Sequence, residues 1–410
     1  MDILMYGWEF PPIQSGGLGV ACKGIVNGLL SNNHRVHLVL PKTSADMSHN
    51  MPGFFNLLSA KQSGEKINFN QVNTSLYSPY NSSEAGYTEW LKHKEDEEPG
   101  AIYGGDMMEE VHRYAAHAAA YAKQIPHDVI HTHDWLTVEA GIQAKRFSDK
   151  PHVMHVHATE VDRSGESSNQ QVFDLERRGM HHADRVIAVS HYTKKMLKKH
   201  YGVPEWKIDV VHNAVDFDVT HYRKDHHLDR QDKIVLFLGR MTMQKGPDYF
   251  LKMAKKVLKH MEHVKFVMAG NGDMMERVIE MALGLGIERN VLFSGFLKGK
   301  EVERAYSEAD LYVMPSVSEP FGIAPLEAIR HGTPVLMSKQ AGVNEVIKSA
   351  LKVDFWDVDE MASKVIAALS YPALNHTLRQ HSTHELNRLS WQEQAGHIAK
   401  VYSKALQNTL

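Results

Sequence analysis

Short apolar segments alternate along the chain with longer stretches in which apolar residues recur at helical spacing. Near-continuous apolar strands separated by helices indicate parallel sheets that are covered on both faces. The predicted strands of the first half are 3–6, 36–40, 129–131, 152–156, 186–189 and 208–211. Those of the second half are 234–238, 264–269, 291–294, 311–314 and 334–337. These strands are too many for one ordinary sheet, so the pattern predicts two doubly wound α/β domains.

A polar segment rich in His, Asp and Arg, residues 216–232, separates the two groups of strands. Its composition is typical of a linker, and we predict a first domain over 1–217 and a second domain that begins at residue 218. Residues 43–105 are polar and irregular, and we predict a hairpin at 66–72. We interpret them as an elaboration of the first domain, because long loops in compact domains are often functional.

Composition narrows the classes of partner. The 410 residues are 43% hydrophobic and 23% charged, and the net charge of -3 gives no electrostatic reason to expect nucleic acid or an anionic membrane. We interpret the basic cluster at 194–199 as the solvated face of a helix. Cys22, the single cysteine, excludes an intramolecular disulfide framework. No apolar run reaches the ~20 residues of a membrane helix, and no signal peptide precedes the first strand, so we expect a cytoplasmic protein.

A glycine-rich turn, residues 15–19, follows the first predicted strand and precedes a helix. Glycines there allow close backbone approach, and a helix N-terminus offers free N–H groups to an anion, although an ordinary tight turn has the same appearance. The turn lacks the Gly-Lys-Ser/Thr of a phosphate-binding loop. Cys22 occupies the third glycine position of the dinucleotide fingerprint, which disfavours a dehydrogenase.

Two cations follow the first strand of the second domain. Arg240 and Lys245 lie in the turn after 234–238, where both could reach a diphosphate, Arg through its fork and Lys as a point charge. A departing diphosphate gains negative charge as its bond to a sugar breaks, so fixed cations stabilise the transition state more than the ground state. The alternative is a pair of solvated surface cations.

The most specific segment is 319–327, which follows the predicted strand 311–314. Gly322 permits a backbone turn, and the N–H groups near Ile323 and Ala324 lie at the start of a helix, where they suit a phosphate. Glu319 and Glu327 lie before and within that helix. One carboxylate could therefore reach a sugar hydroxyl while the other holds a ribose.

Two histidine pairs, His131/His133 and His155/His157, close strands of the first domain with i, i+2 spacing and so share a strand face. We favour hydrogen bonding to a substrate, or satisfied strand ends, over a zinc site, since neither cysteine nor a His-Glu-x-x-His helix accompanies them. The Asp-x-Asp sequences at 216–218 and 357–359 are interpreted as surface charge.

Together these segments resemble the retaining GT-B glycosyltransferases of family 4, and within that group the glycogen and starch synthase-like members. The resemblance covers nearly the whole chain and rests on 8–19, 131–135, 157–166, 211–216, 240–247, 270–273 and 319–327. It implies two facing Rossmann-like domains with the active site in the cleft between them. A C-terminal helix, 392–410, would complete the acceptor-side first domain, which leaves 218–391 as the nucleotide-sugar-binding domain.

The resemblance also implies roles for single residues in the donor site. Arg240 and Lys245 would hold the donor diphosphate, Glu327 would bind ribose, and Glu319 would contact the transferred sugar. Residues that would line the phosphate, sugar and base sites are Gly19, Gly272, Leu297, Gly322, Ile323 and Ala324.

On the acceptor side, His157 would hydrogen-bond the donor sugar, and Asp134 and Trp135 would lie toward the acceptor. The resemblance implies no metal and no other cofactor, because the two cations do a metal's electrostatic work. The expected partners are a nucleotide sugar, UDP- or ADP-glucose, and a carbohydrate acceptor such as glycogen.

One position departs from the pattern. Synthases that use ADP-glucose carry Lys-x-Gly-Gly-Leu near the N-terminus, and here Gln14 occupies the lysine position, which leaves the base and the donor sugar open. Three alternatives stay open as well: a family 4 transferase with a small-molecule or lipid acceptor, a GT-B nucleotide-sugar epimerase, and a non-catalytic carbohydrate-binding protein.

Overall fold

A computed structural model describes residues 1–11, 17–41, 55–59, 105–215 and 232–407. Residue contacts divide the chain into two compact units. The first unit comprises Met1–Val161, Gly165–Ala214 and Ser390–Leu410, and the second comprises Asp162–Ser164 and Val215–Leu389. Each unit has its own sheet and its own hydrophobic core.

The first unit contains a seven-stranded parallel sheet in the order β3-β2-β1-β4-β5-β6-β7. Its strands are β1 (Asp2–Tyr6), β2 (Arg35–Leu40), β3 (Phe55–Ser59), β4 (Val129–His133), β5 (His152–Val156), β6 (Arg185–Ala188) and β7 (Ile208–Val210). Its helices are α1 (Gly17–Ser31), α2 (Gly105–Ala119), α3 (Tyr121–Gln124), α4 (Asp134–Ser148), the start of α5 (Glu160–Ser164), α6 (Gln170–His182), α7 (His191–Tyr201) and α14 (Trp391–Gln407). The last three residues of α5 are grouped with the second unit.

The second unit contains a six-stranded parallel sheet in the order β10-β9-β8-β11-β12-β13. Its strands are β8 (Lys233–Leu238), β9 (Val264–Ala269), β10 (Val291–Gly295), β11 (Leu311–Met314), β12 (Val335–Ser338) and β13 (Leu351–Val353). Its helices are α8 (Pro247–Val257), α9 (Met275–Gly284), α10 (Lys300–Glu308), α11 (Ala324–Arg330), α12 (Val358–Ser370) and α13 (Pro372–Leu386).

Both sheets follow the doubly wound order, in which the chain builds outward from one strand and then returns to that strand's other side. The order reverses between β1 and β4 in the first sheet and between β8 and β11 in the second. Ligands of open parallel sheets bind outside the carboxyl ends of the strands at such a switch point. Each sheet therefore has one preferred place for a ligand.

All eleven predicted strands are present, and the structure adds β3 and β13. Both additions are edge strands, which bury fewer side chains than central strands and leave a weaker hydrophobic pattern. The predicted hairpin at 66–72 and the predicted boundary near 217 lie outside the described residues. Among the residues that are described, no helix has the length and apolar character required to cross a bilayer.

Local signals explain where several helices begin and end. The Ser190 hydroxyl accepts a hydrogen bond from the Thr193 amide at the start of α7, and Gly202 ends this helix in the left-handed conformation. The basic cluster on α7 lies at the surface, where Lys198 forms an ion pair with Glu205. Asp357, in the second Asp-x-Asp sequence, caps α12 by accepting from the Glu360 amide.

The C-terminal helix α14 packs closely against α1 within the first unit. Trp391 lies over two glycines of α1: a Cβ at Gly24 would be 2.1 Å from the indole ring, and one at Gly28 would be 2.3 Å from the Trp391 carbonyl oxygen. Only glycine permits this approach at both positions. The contact explains why the C-terminal residues group with the first unit.

We expect Gly28→Ala to lower the free energy of unfolding by about 1–3 kcal/mol, because the new methyl group would press on a backbone atom that cannot move independently. Gly396→Ala on α14 is the matched control. The nearest atom to its Cβ would be 3.9 Å away, so added helix propensity should stabilise the protein by about 0.5–1 kcal/mol. Thermal unfolding of both variants checks this packing, and equal effects would contradict it.

The first unit should lose stability in mild acid through His152. This side chain is fully buried, and burial lowers its pKa from the ordinary 6.5 to about 3. Between these two values the unfolded chain binds a proton that the folded chain does not. The contribution of His152 to the free energy of unfolding is fully present above about pH 6.5 and is lost as the pH falls toward 3. At pH 5 the free energy of unfolding should be lower by about 2 kcal/mol.

Urea unfolding at pH 7 and pH 5 tests this expectation. His152→Asn removes the titrating group, so the variant should lose about 2 kcal/mol less than wild type between the two pH values. His260→Asn, at an exposed position, is the control and should change nothing. Parallel pH profiles for wild type and His152→Asn would show that His152 is not the group responsible.

Candidate active site

The switch point of the second sheet joins two loops. The turn after β8 contains Arg240 and Lys245, and the loop after β11 leads to Glu319. The Val317 amide donates a hydrogen bond of 2.8 Å to the Gln244 carbonyl, which fixes one loop against the other. Residues far apart in the sequence therefore meet because β8 and β11 are neighbours in the sheet.

Lys245 and Glu319 form an ion pair at this point. The Lys245 Nζ lies 2.5 Å from the Glu319 Oε2, and the two side chains are 20% and 9% exposed. This degree of burial strengthens their attraction relative to a surface pair, because less water screens the charges. The Ser316 hydroxyl donates a further hydrogen bond of 3.1 Å to the same carboxylate oxygen.

The backbone of Glu319 is also fixed. Its amide donates to the Gln340 carbonyl at 3.0 Å, and its carbonyl accepts from the Gly342 amide at 2.9 Å. These bonds attach the loop after β11 to the segment after β12. The carboxylate is therefore held on a rigid backbone, as a group that must meet a substrate at a defined position requires.

Arg240 is half-buried in the same turn as Lys245. Its Nη2 donates a hydrogen bond of 3.1 Å to the Gln244 side-chain oxygen. Gln244 thus orients Arg240 through its side chain and holds Val317 through its carbonyl. Two cations and one carboxylate lie at the ends of two adjacent strands.

Glu327 lies in the first turn of α11, where the helix dipole favours a negative charge. The Tyr306 hydroxyl, from α10, donates to Glu327 Oε2 at 3.1 Å. Burial raises the pKa of the Glu327 carboxyl, and the Tyr306 hydrogen bond opposes that rise. The carboxylate is thus held in place through a contact across 21 residues of sequence.

The segment between the two glutamates is shaped by Gly322. Its φ of +99° is rarely adopted by other residues, and a Cβ there would lie 3.1 Å from Glu319 Cγ and 3.3 Å from Met314 Cε. Ile323 and Ala324, both half-buried, follow as α11 begins.

Gly272 and Leu297 lie after the neighbouring strands β9 and β10. A Cβ on Gly272 would be 2.3 Å from the Met241 carbonyl oxygen, so this glycine allows the loop after β9 to approach the turn after β8. Leu297 is half-buried beyond the end of β10, the edge strand of the sheet. The close approach of the loop after β9 to the turn after β8 therefore depends on Gly272.

In the first unit, Asp134 lies at the carboxyl end of β4 with a φ of +53°, an uncommon value for a residue with a side chain. Its Oδ1 accepts a hydrogen bond of 2.6 Å from the His157 amide and a longer one of 3.4 Å from Ala158. Asp134 is 2% exposed and Trp135 is fully buried in the core. The carboxylate of Asp134 therefore holds the backbone of His157, and Trp135 packs in the core of the first unit.

His157 is half-buried at the end of β5, and its Nε2 lies 2.9 Å from His133 Nδ1. Gly19 is buried in the first turn of α1, which follows β1. His157 and Gly19 thus follow two strands on either side of β4 in the first sheet. Gln14 and the Asp-x-Asp sequence at 216–218 lie outside the described residues.

The sequence did not identify the residues that hold the charged groups in place. Gln244, Ser316 and Tyr306 position Arg240, Glu319 and Glu327 respectively. Gln244 lies inside the Arg-to-Lys segment, four residues after Arg240, and could have been considered there. Ser316 lies three residues before Glu319 and could also have been considered. Tyr306 carries no sequence signal, because α10 and α11 become neighbours only in the folded unit.

Comparison with known proteins agrees with this architecture. Residues 218–385 match the family model "Glycosyl transferases group 1", and residues 95–219 match the model "Glycosyltransferase Family 4". An uncharacterised glycosyltransferase of Methanocaldococcus jannaschii is 29% identical, with 99% of each chain covered. A glycogen synthase of Mycobacterium tuberculosis is 25% identical over 99% of this chain and 95% of its own length.

A solved structure of Anabaena HepE in complex with UDP and glucose has a TM-score of 0.71 at 17% identity and covers 98% of this chain and 100% of its own. This likeness concerns the fold, and it confirms the predicted class of two Rossmann-like α/β domains. Since adjoining family matches span both units and relatives of the same class extend over the full chain, this protein is a glycosyltransferase with the GT-B fold.

Proposed function

We propose that this glycosyltransferase moves a glucosyl unit, with retention of the anomeric configuration, from a nucleotide-diphosphate glucose to an α-glucan. The observation that carries the proposal is the group of Arg240, Lys245 and Glu319 at the switch point of the second sheet. Two cations beside a carboxylate suit a diphosphate joined to a sugar, because the cations bind phosphate oxygens while the carboxylate accepts from sugar hydroxyls.

In the proposed reaction the acceptor hydroxyl attacks the anomeric carbon from the face that the diphosphate leaves. The new C–O bond forms as the bond from the anomeric carbon to the phosphate oxygen breaks, and the departing phosphate oxygen takes the acceptor's proton. Arg240 and Lys245 stabilise the negative charge that develops on the diphosphate. Fixed side chains do this well because they are oriented before the reaction begins.

The remaining residues bind and orient the donor. Glu319 contacts the transferred glucosyl unit, and Glu327 holds the ribose hydroxyls. The backbone of Gly322, Ile323 and Ala324 lies along the phosphate and sugar.

In the first unit, His157 hydrogen-bonds the donor sugar, and Asp134 positions His157 by accepting from its amide. Gly19 allows close approach of backbone to phosphate. Gly272 and Leu297 shape the place of the nucleotide base.

Two comparisons support the choice of substrates. HepE was solved with UDP and glucose, and a glycogen synthase is a relative over nearly the full chain. We therefore propose UDP- or ADP-glucose as donor and a glycogen-like glucan as acceptor. Because Arg240 and Lys245 supply the positive charge, the transfer needs no divalent cation, and added Mg²⁺ should leave the rate unchanged.

A screen of UDP-, ADP- and GDP-sugars with and without glycogen tests the proposed substrates. We expect glucose to be incorporated into glycogen from a UDP or ADP donor, with the α configuration kept in the product. Conversion of donor without acceptor would indicate an epimerase. Transfer only to a small molecule or lipid would reject the glucan acceptor, and binding without turnover would indicate a carbohydrate-binding protein.

We expect Arg240→Ala and Lys245→Ala each to lower kcat/KM by about a hundredfold, since each removes one charge-stabilising donor from the transition state. Lys252→Ala is the control, because this lysine lies on α8 and forms an ion pair with Asp248. Steady-state kinetics with the identified donor provides the measurement. Wild-type turnover in both site variants would contradict the role assigned to the cations.

Tyr306→Phe should raise KM for the donor by about two- to tenfold with little change in kcat, because Glu327 loses the hydroxyl that positions it at the ribose. Tyr312→Phe is a matched control: this buried tyrosine also loses one hydrogen bond, to the Leu238 carbonyl at 3.1 Å. If both substitutions change KM equally, the effect reflects general loosening of the unit and not the position of Glu327.

A further inference from the structure

Four histidines lie on one face of the first sheet, at the ends of two adjacent strands. His131 and His133 belong to β4, His155 belongs to β5, and His157 follows it. The parallel register places His133 directly beside His155. Ring centroids are 4.5 Å apart for His131 and His133, and 4.4 Å apart for His155 and His157. The sequence indicated that each pair shares a face, and the sheet brings the two pairs together.

Three of these side chains are removed from water. His131, His133 and His155 are 0%, 1% and 1% exposed. Among the residues that the structure describes, the Nε2 of His131 and both ring nitrogens of His155 have no hydrogen-bond partner. Buried polar atoms are nearly always paired, and a group of unpaired ones in a single place requires an explanation such as a bound ion. Nothing in the proposed transfer reaction uses His131 or His155.

We propose that His131, His133 and His155 bind one divalent transition-metal ion of the zinc type, which connects β4 with β5 and stabilises the first unit. One ligand atom from each histidine lies within 4.8 Å of the other two. Nitrogens in a tetrahedral zinc site are about 3.3 Å apart. The three rings are tilted by 23–37° to one another, so they would have to rotate about their side-chain bonds for their lone pairs to converge on one ion. A water molecule would complete the four ligands of a tetrahedral site.

The chemistry of the ligands selects the class of ion. Three imidazole nitrogens without a carboxylate suit Zn²⁺, Co²⁺, Ni²⁺ or Cu²⁺ and do not suit Mg²⁺ or Ca²⁺, which require oxygen ligands.

Tyr402 supplies the outer contact that such a site requires. Its hydroxyl lies 2.5 Å from His131 Nδ1, on the opposite side of the ring from the unpaired Nε2. With the proton on Nδ1 donated to Tyr402, the Nε2 lone pair is directed to the ion. Metal-bound histidines almost always make a second contact of this kind. Tyr402 lies on α14, so the ion would also stabilise the docking of the C-terminal helix.

The test uses the full, tag-free chain after treatment with a chelator. We expect about one equivalent of Zn²⁺ or Co²⁺ to bind per chain, with a visible Co²⁺ absorption band typical of tetrahedral nitrogen ligands. Zn²⁺ should raise the thermal midpoint by several degrees, whereas Mg²⁺ should leave it unchanged. Metal content and the Co²⁺ spectrum are read without any activity assay, so the result is independent of the proposed transfer reaction.

Variants separate this site from adventitious binding by surface histidines. His155→Phe and His131→Phe keep an aromatic ring in the stack but should lower Co²⁺ affinity more than a hundredfold. Tyr402→Phe should weaken binding by about 10- to 100-fold, through loss of the outer contact. His152→Asn is the matched control, because His152 is buried on the other face of the sheet, where it forms a hydrogen bond with Thr132. The His152→Asn variant should bind Co²⁺ with the affinity of wild type.

If the wild-type chain binds no Zn²⁺ or Co²⁺, or if His155→Phe and His131→Phe bind as wild type does, the proposal is wrong. Circular dichroism and the thermal midpoint of the metal-free variants show whether they are folded. Tyr402→Phe retains all three proposed ligands, so the predicted partial loss of affinity keeps the test decisive even if a histidine variant does not fold.

Discussion

The ion pair between Lys245 and Glu319 is the interaction on which the candidate site depends. Its two partners are 74 residues apart in sequence and meet because β8 and β11 are adjacent in a parallel sheet. The Glu319 side chain is almost fully buried, and both Lys245 and Ser316 donate hydrogen bonds to its Oε2. The same pair fixes both a cation and a carboxylate at the place where a parallel sheet binds its ligand.

Both sheets have polar side chains at the switch point, where the strand order reverses, but the chemical groups differ between the two units. In the second sheet, the switch point carries the cations and the carboxylate. In the first sheet, Asp134 occupies the equivalent place at the end of β4, and its carboxylate holds the His157 backbone. The strained φ of Asp134 is consistent with a position where function takes precedence over backbone preference. Adjacent strand ends also bring together the histidines for which we propose a metal site.

The sequence predicted most of the fold because central parallel strands are buried on both faces and therefore read as apolar runs. It did not predict β3 and β13, which are edge strands, and the three-residue Leu351–Val353 is too short to show a pattern. The close packing of α1 on α14 was expected only from the resemblance. Its cause, the contact of Trp391 with Gly24 and Gly28, joins residues more than 360 positions apart.

For the site, the sequence indicated the charged groups but not what surrounds them. Arg240, Lys245, Glu319 and Glu327 stand out because Gly and Pro mark strand-end loops around them. Their supports, such as Tyr306, are ordinary residues whose role arises only from tertiary contact. Trp135, which the resemblance placed toward the acceptor, is fully buried in the core of the first unit, and no sequence signal indicated that burial.

A double-mutant cycle on Lys245 and Glu319 tests the central claim most directly. The kcat/KM of Lys245→Ala, Glu319→Gln and the double variant is measured with the same donor and acceptor. If the two residues act as one unit on the diphosphate sugar, the double variant should be little worse than the poorer single variant. If the loss of kcat/KM in the double variant equals the product of the two single losses, Lys245 and Glu319 act independently and the central claim is wrong.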